Sequence, residues 1–444
     1  MLAAGQGTRM KSRVPKVLHK VCGREMVRLV LDAVAEAGID STAVVVDTDA
    51  EPVRQLLGST VAYAVQPQPL GTGHALLQAR SLVDGADTVA VLHGDVPLVE
   101  ADTLRTMLRV HRESDADITL LAATVDHPGD LGRVIRDGSG RITAVVEARD
   151  ADDEVCGIQE VNGGVYCFRE SWLWPSLASL PASPGGEVYL TDLVSVAAGQ
   201  GMAVESVKAG PEEILGVNTR VELAAAEAAL RRRIRERWML AGVSIPDPTT
   251  VYIDLDVELG HDTVLLPNTH VTGESRVGTG CVIGPDTTVS GSAIGAGCRI
   301  VNSVVDGAVV EDDVDIGPFS HIRPGTHLES EVHIGSSVEV KNSRLGRGAR
   351  SGHFSYIGDA QVGANVNIGA GTVTCNYDGV RKHPTIIGEG AFIGSGSMLV
   401  APVTIGARAQ TGAGAVVTRD LPPDALAVGA PARLRAKQPH PRGE

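Results

Sequence analysis

The sequence predicts an α/β unit with an open, mostly parallel sheet, followed by a triangular solenoid of short β-strands. Three observations carry this. An aliphatic residue recurs at every sixth position between Ile253 and Val417. A glycine loop ends a short apolar run at the start of the chain. Between them, apolar segments of strand and helix length alternate.

The bulk properties agree. A chain of 444 residues has room for two or three domains. Apolar residues make up 43%, enough for ordinary cores, but aromatics only 3%, which suits a narrow solenoid filled by Val, Ile, Leu and Ala. A net charge of −15 argues against a nucleic-acid or anionic-membrane surface. It leaves room for a local basic pocket that takes phosphates. The six cysteines form no C-x-x-C pair, so free thiols in a reducing compartment are expected. With no signal-like segment and no apolar run of about 18 residues, the expected location is the cytoplasm, with no membrane partner.

The chain opens Leu2-Ala3-Ala4-Gly5-Gln6-Gly7-Thr8-Arg9-Met10, and Lys11, Arg13 and Lys16 follow. Gly5 and Gly7 let backbone N–H groups approach a phosphate, and the cations add charge within one segment. The loop lacks the Gly-Lys-Ser/Thr of a Walker A sequence, and Met10 stands where a dinucleotide fingerprint needs its third glycine. Only Met1–Ala4 precede Gly5, whereas a central strand needs about five residues, so the first strand is expected to be short and its loop weakly held.

A helix is expected over Met26–Ala37 and a strand at Ala43–Val46. A buried strand over Thr88–Leu92 runs into His93-Gly94-Asp95. Ligands of open α/β sheets bind at the carboxyl ends of strands. Alone, Asp95 before Val96-Pro97 reads as a turn residue; beside the cationic loop it becomes a candidate Mg²⁺ ligand. Thr219-Arg220-Val221-Glu222 is a capping box, and Leu223, Leu230, Ile234 and Trp238 recur at helical spacing up to Gly242. Arg231, Arg232, Arg233, Arg235 and Arg237 on that helix read as a solvated face. The domains expected are therefore 1–218, a linking helix 219–242, and 243–444.

In the solenoid the first frame reads Ile253, Leu259, Leu265, Val271, Val277, Ile283, Val289. A second frame starts at Val304 and continues Val310, Ile316, Ile322, Leu328, Ile334, Val340, and a third runs Ile387, Ile393, Leu399, Ile405, Thr411, Val417. A period of six is neither 3.6 nor 2. It fits a strand and a turn repeated, three to a coil of about 18 residues. Glycine often follows the aliphatic position, as at Gly260, Gly278 and Gly335. The register breaks between Lys341 and Ile387, where Val373–Lys382 reads as a loop leaving the solenoid. Polar residues gather there: His353, Tyr356, Asn367, Asn376 and Tyr377, with Arg323 and Lys341 nearby. An isolated His on a coil is usually a surface residue; His353 in this company is a candidate general base.

Two sets of strings carry a family resemblance. The opening L-A-A-G-x-G-T-R-M followed by Pro15-Lys16 resembles the sugar-phosphate nucleotidyltransferases. Asn365-Val366-Asn367-Ile368-Gly369-Ala370-Gly371-Thr372, with Cys375-Asn376-Tyr377-Asp378-Gly379, resembles the hexapeptide-repeat acetyltransferases. Together, over nearly the whole chain, they resemble the bifunctional N-acetylglucosamine-1-phosphate uridylyltransferase/glucosamine-1-phosphate N-acetyltransferase family. The resemblance implies a Rossmann-like nucleotidyltransferase domain followed by a left-handed parallel β-helix. It implies acetylation of glucosamine 1-phosphate by acetyl-CoA, then UMP transfer from UTP with release of pyrophosphate. The product would be UDP-N-acetylglucosamine for cell-envelope polysaccharides.

By the same resemblance Arg9 and Lys16 are catalytic in the first unit, and Leu2, Ala3, Ala4, Gly5, Lys16, Gln66, Gly71, Thr72, Gly94 and Asp95 contact the nucleotide. Gly132, Glu147, Asn162 and Asn218 contact the nucleotide sugar, and Asp95 with Asn218 holds Mg²⁺. His353 is the acetyl-transfer base. Arg323, Lys341, Tyr356 and Asn367 bind the acceptor, and Ala370, Asn376, Tyr377, Ser395 and Ala413 bind acetyl-CoA. Glu339 is expected to orient His353. The family forms homotrimers with this site between subunits. The stretch Gly185-Gly186-Glu187-Val188-Tyr189-Leu190-Thr191-Asp192 also follows the family. Near position 430, where the family has an arginine facing CoA, the chain reads Val428-Gly429-Ala430-Pro431-Ala432-Arg433. Two rivals differ in what they need. A monofunctional nucleotidyltransferase with a structural solenoid needs no cluster from Lys341 to Tyr377. A non-catalytic assembly subunit needs none of Arg9, Lys16 and Asp95.

Overall fold

The computed structural model describes residues 1–435 except Gln6, Asp84, Pro184 and Gly185; Gln6 of the opening loop and Gly185 of the later glycine pair lie outside the described residues. The chain divides into two compact units, Met1–Leu230 and Arg231–Glu444, with the division inside a helix, Arg220–Leu240. The capping box at its start forms: Thr219 N donates to Glu222 Oε2 at 2.7 Å, and Glu222 N to Thr219 Oγ1 at 3.3 Å.

In the first unit, Ala43–Val46 pairs in parallel with Ala62–Val65. Along Ala43–Val46 alternate side chains enter different cores, Ala43 and Val45 one, Val44 and Val46 the other. That is why the strand is apolar throughout: both faces are covered. Leu2 joins this strand to the next, bridging in parallel to Val45 and to His93. Leu2 N donates to Leu92 O at 2.7 Å, and Gly94 N to Leu2 O at 2.9 Å. A cavity of about 600 Å³ opens beside Met1, lined on one side by Ser41–Ala43 and on the other by Thr88–Ala90.

The sheet is mixed rather than mostly parallel. Glu160–Arg169 runs antiparallel to both Thr88–Val91 and Ile118–Thr124, while Val204–Lys208 lies parallel to Ile118–Thr124. Between the antiparallel pair Arg133–Arg136 and Ile142–Val146 and the strand Glu160–Arg169 lie a 3₁₀ turn, Ala148–Asp150, and a short helix, Asp153–Cys156. The expected helix is present as Met26–Glu36, with Met26, Val27, Val30, Ala33 and Val34 buried at helical spacing.

The second unit is a parallel β-helix. Each short strand pairs with the strand one coil later: Val264 with Val282, Val282 with Arg299, Arg299 with Asp315, Asp315 with His333. The six-residue positions point inward, and Leu265, Val271, Ile283, Val289, Ile316, Ile322, Leu328, Ile334 and Val340 are wholly buried. One residue departs from the expected frame. Val304 is 41% exposed and Val305 is the buried one, because the coil steps there are shorter than 18 residues and the frame slips by one. Thr411, the polar member of the third frame, is also buried; its hydroxyl accepts from Gly394 N at 2.8 Å.

The glycines after the aliphatic positions serve the stacking. A Cβ on Gly260 would lie 2.6 Å from the backbone carbon of Gly278 on the next coil. The corners use a different device. Asn268, Asp286 and Asn302 have φ of 57°, 49° and 44°, a left-handed backbone that Asn and Asp tolerate. Their side chains form a ladder, with Asn268 Nδ2 2.9 Å from Asp286 Oδ1 and Asn302 Nδ2 3.1 Å from Asp286 Oδ2. Two strands are long, His333–Lys341 and Arg350–Gly358, and stay paired to each other on both sides of a corner, where Ser337 has a φ of 61°. The outgoing loop begins later than expected. Val373–Cys375 is a strand paired to Met398–Val400, and the excursion is confined to 376–384.

Candidate functional sites

The first site is a cavity of about 320 Å³ at the carboxyl ends of the first unit's central strands. Leu2, Ala3, Ala4 and Gly5 form one wall, Gln66, Gly71 and Thr72 another, and Lys16, His93 and Asp95 the floor. Three strand ends meet here because Leu2 forms β-bridges to Val45 on one side and His93 on the other. Lys16 sits on a short 3₁₀ turn, Lys16–Leu18, held under the glycine loop; a Cβ on Gly7 would lie 2.7 Å from Lys16 Cβ. Its ammonium donates to Asp95 Oδ2 in a short ion pair and to Asn218 Oδ1 at 2.9 Å. Asp95 and Asn218 thus meet on one cation although 123 residues separate them in sequence (218 − 95). His93 lies beside them. Burial pushes its imidazole pKa down, with the Asp95 charge opposing.

The Gln66 amide donates to Gly71 O at 3.1 Å and lies 3.1 Å from His74 Nδ1. Its carbonyl oxygen is an acceptor. The 70–73 loop is stitched to the segment after Gly186 by three bonds. Gly73 N donates to Val188 O at 2.9 Å, Val188 N to Leu70 O at 2.9 Å, and Leu190 N to Thr72 Oγ1 at 3.0 Å. So Thr72 spends its hydroxyl on the fold. On the same segment, Glu187 and Tyr189 line the cavity, and Thr191 Oγ1 donates to Glu147 Oε1 at 3.0 Å. Asn162 N bonds Gly132 O at 2.8 Å, which draws Gly132 and Asn162 together. Arg9 stands apart. It is exposed, and its guanidinium is 3.8 Å from Asp130.

Glu187 and Tyr189 belong to the stretch through Asp192 that follows the family, and His93 stands two residues before Asp95, but none of the three is among the expected site residues.

The second cluster lies where the solenoid strands lengthen. Register places Val340 beside Ile322 and Gly358 beside Lys341, so Arg323 and Lys341 are neighbours on successive coils. Lys382, from the 376–384 loop, joins them. Lys382 and then Arg323 hold the Lys341 ammonium below the usual lysine pKa. A lysine in a polar loop carries no period, so nothing in the sequence marked it. The loop is closed by its own contacts. Asp378 Oδ1 accepts from Val380 N and Arg381 N, both at 2.8 Å, and Asp378 Oδ2 meets His383 Nε2 at 2.6 Å. These bonds, the Arg381 N–H first, bring the Asp378 pKa down to about 2. Asn376 Nδ2 donates to Asp359 Oδ2 at 2.5 Å and approaches the Tyr356 hydroxyl at 3.5 Å. A Cβ on Gly358 would lie 2.5 Å from that hydroxyl, so a side chain there would displace Tyr356.

His353 is exposed in the middle of Arg350–Gly358, next to Phe354, which is 62% exposed. Glu339 does not orient it. The register sets Ser336 beside His353, and the Glu339 carboxylate takes Arg323 Nη1 at 2.6 Å instead. Tyr377 is exposed, with its hydroxyl on Gly379 O. Asn367 pairs in register with Arg350 and Phe392. Ala370, Ser395 and Ala413 each sit between two glycines on successive coils: Gly396 N donates to Ala370 O at 2.7 Å and Gly414 N to Ser395 O at 2.8 Å. They form a strip of small residues along the solenoid. Arg433 is exposed in the antiparallel pair Arg433–Arg435 with Leu426–Val428.

Comparison with known proteins agrees with both halves. Residues 1–196 match the MobA-like NTP transferase domain and residues 384–419 the bacterial transferase hexapeptide, six repeats. The matching architecture is that of a Rossmann-like domain and a left-handed β-helix. The chain is 47% identical over 431 residues to the bifunctional protein GlmU of Heliobacterium modesticaldum, covering 96% of this chain and 94% of that protein. It is 46% identical to the bifunctional protein GlmU of Caldanaerobacter subterraneus subsp. tengcongensis, again over 96% of this chain and 94% of that protein. For Shouchella clausii the identity is 44%, with 96% and 95% covered. The chain belongs to the GlmU family of bifunctional transferases of UDP-N-acetylglucosamine synthesis.

Proposed function

We propose that the two clusters are the two active centres of this bifunctional enzyme. The carrying observation is that Lys16, Asp95 and Asn218 converge in one unit, while Arg323, Lys341 and Lys382 converge in the other. Each cationic group suits a phosphate, so one chain offers two separate phosphate sites.

In the solenoid, Arg323, Lys341 and Lys382 hold the phosphate of glucosamine 1-phosphate, and Tyr356 and Asn367 the sugar. His353 takes a proton from the sugar ammonium. The freed amine attacks the thioester carbonyl of acetyl-CoA; the C–N bond forms, the C–S bond breaks, and CoA leaves as thiolate. The strip of Ala370, Ser395 and Ala413 lets the pantetheine arm lie close to the coils. Asn376 and Tyr377 flank it, and Arg433 is a cation near the tail of the chain. His353 and Phe354 face outward, and a homotrimer places them against a second subunit, completing the site.

In the first unit, Gln66 reads the uracil edge, and Glu147 with Asn162 and the Gly132 backbone holds N-acetylglucosamine 1-phosphate. Lys16 and Arg9 draw the triphosphate in, Arg9 leaving Asp130 to do so. The donor set fits Mg²⁺: Asp95 and Asn218 present oxygens to a cation already, the Lys16 ammonium. Bound there, Mg²⁺ supplies neutralisation of phosphate charge in the transition state. The protein works in the cytoplasm on small molecules; among the described residues no helix is long and apolar enough to cross a membrane. Incubation with glucosamine 1-phosphate, acetyl-CoA, UTP and Mg²⁺ should yield UDP-N-acetylglucosamine, CoA and pyrophosphate. Formation of only one product set removes the role of the other cluster.

A further inference from the structure

The Lys16 ammonium lies on the two oxygens that a divalent cation would use, Asp95 Oδ2 and Asn218 Oδ1. Its side chain is only 10% exposed and that of Asp95 19%. Among the described residues no group of three or more His, Cys, Asp or Glu side chains gathers into a metal site. The protein alone therefore offers two oxygens and one competing positive charge. An ammonium and a divalent ion within about 4 Å of each other repel strongly in a partly buried cavity. Mg²⁺ in such sites completes its shell with substrate phosphate and water.

We propose that Lys16 is a stand-in cation that excludes the free metal ion. Resting on the nucleotidyl-transfer reading above, this assigns an order to binding. Without nucleotide, Lys16 neutralises Asp95 and closes the pair of oxygens to free Mg²⁺. A metal–nucleotide complex brings phosphate oxygens, which give the Lys16 ammonium a new partner and release the pair. The lysine is exchanged from carboxylate to phosphate as the metal enters, so no charge is left bare at any stage.

The test counts bound Mn²⁺, a paramagnetic substitute for Mg²⁺, in full-length protein without substrates. Free Mn²⁺ is read by its electron paramagnetic resonance signal. Lys16→Met keeps the side chain's bulk and removes its charge, and it should bind Mn²⁺ at least about tenfold more tightly than the unaltered protein. Lys16→Arg, which keeps a cation, should show no such gain. Adding Asp95→Asn to Lys16→Met should abolish the gain, which locates it at this site. If Lys16→Met binds Mn²⁺ no more tightly than the unaltered protein, the proposal is wrong. A second measurement needs no variant. The Lys16 ammonium resonance in ¹⁵N-lysine-labelled protein should move with Mg²⁺ and UTP together and stay in place with Mg²⁺ alone. Equal movement with Mg²⁺ alone overturns the idea. Pyrophosphate release by unaltered protein is scored separately, so loss of the nucleotidyl-transfer reading and loss of this one give different results.

Discussion

The two units of this chain gather their sites by opposite routes. In the first unit, residues far apart in sequence meet because strands end at one edge: Lys16, Asp95 and Asn218 share one cation. In the solenoid, Arg323, Lys341 and Gly358 meet because each lies one coil after the last, in a register that can be counted. The first site is built by topology and the second by periodicity. The solenoid site still needs one departure from period, the 376–384 excursion that delivers Lys382 and Asn376.

The sharpest break of this comparison is chemical. His353→Ala should lower acetyl transfer by about 10²- to 10⁴-fold and leave uridylyl transfer as it was. Lys16→Ala should do the reverse. Each half-reaction is assayed with its own substrates; acetylation at the unaltered rate by His353→Ala would remove the proposed base. Assembly separates the units next. A fragment over residues 231–444 should fold and form trimers by light scattering, since coils depend on neighbouring coils. A stable monomer at micromolar concentration would sink the shared-subunit site.

Packing gives the third contrast. Ile316→Ala should cost the solenoid about 2–5 kcal/mol by calorimetry, without moving the unfolding of the first unit.

A smaller effect concerns Lys382. Lys382→Met should raise the KM for glucosamine 1-phosphate about tenfold with little change in kcat. It also has a pH signature. Lys382 and Arg323 lower the Lys341 pKa, so Lys341 loses its charge earlier as pH rises, and acceptor affinity falls with it. Lys382→Met relieves that crowding and should shift the alkaline limb of the KM profile upward. A limb that stays in place would show that Lys382 does not act on Lys341. Smallest of all, Thr191→Val frees Glu147 from its hydroxyl partner and should weaken N-acetylglucosamine 1-phosphate about fivefold, with Thr191→Ser restoring it.

The solenoid was legible because one side chain in six is sealed from water, and a buried position admits few residue types. The slip at Val304 was not, since a corner can lose a residue without any mark in composition. The antiparallel course of Glu160–Arg169 was hidden as well: a strand's own residues do not set which way it runs against its neighbours. In the first site the glycine loop announced itself, whereas the pairing of Asp95 with Asn218 came only through resemblance. Lys382 and Asp359 carry no pattern, and only the folded loop brings them to Lys341 and Asn376.

The ladder of stacked coils has a consequence for how such a chain can change its length. One strand-and-turn unit turns the backbone by about 120° around the axis. Inserting a single unit below Arg323 would carry every later face round by a third of a turn, and the proposed acetyl-transfer cluster would leave the face it occupies. Inserting a whole coil would move it about 4.8 Å along the axis and leave its direction unchanged. Losses of one or two residues are absorbed at corners, as the steps from Val282 to Arg299 and from Arg299 to Asp315 already do. Insertions and deletions in this half are thus sorted by arithmetic. Whole coils and corner residues are tolerated, and a lone strand-and-turn unit is not.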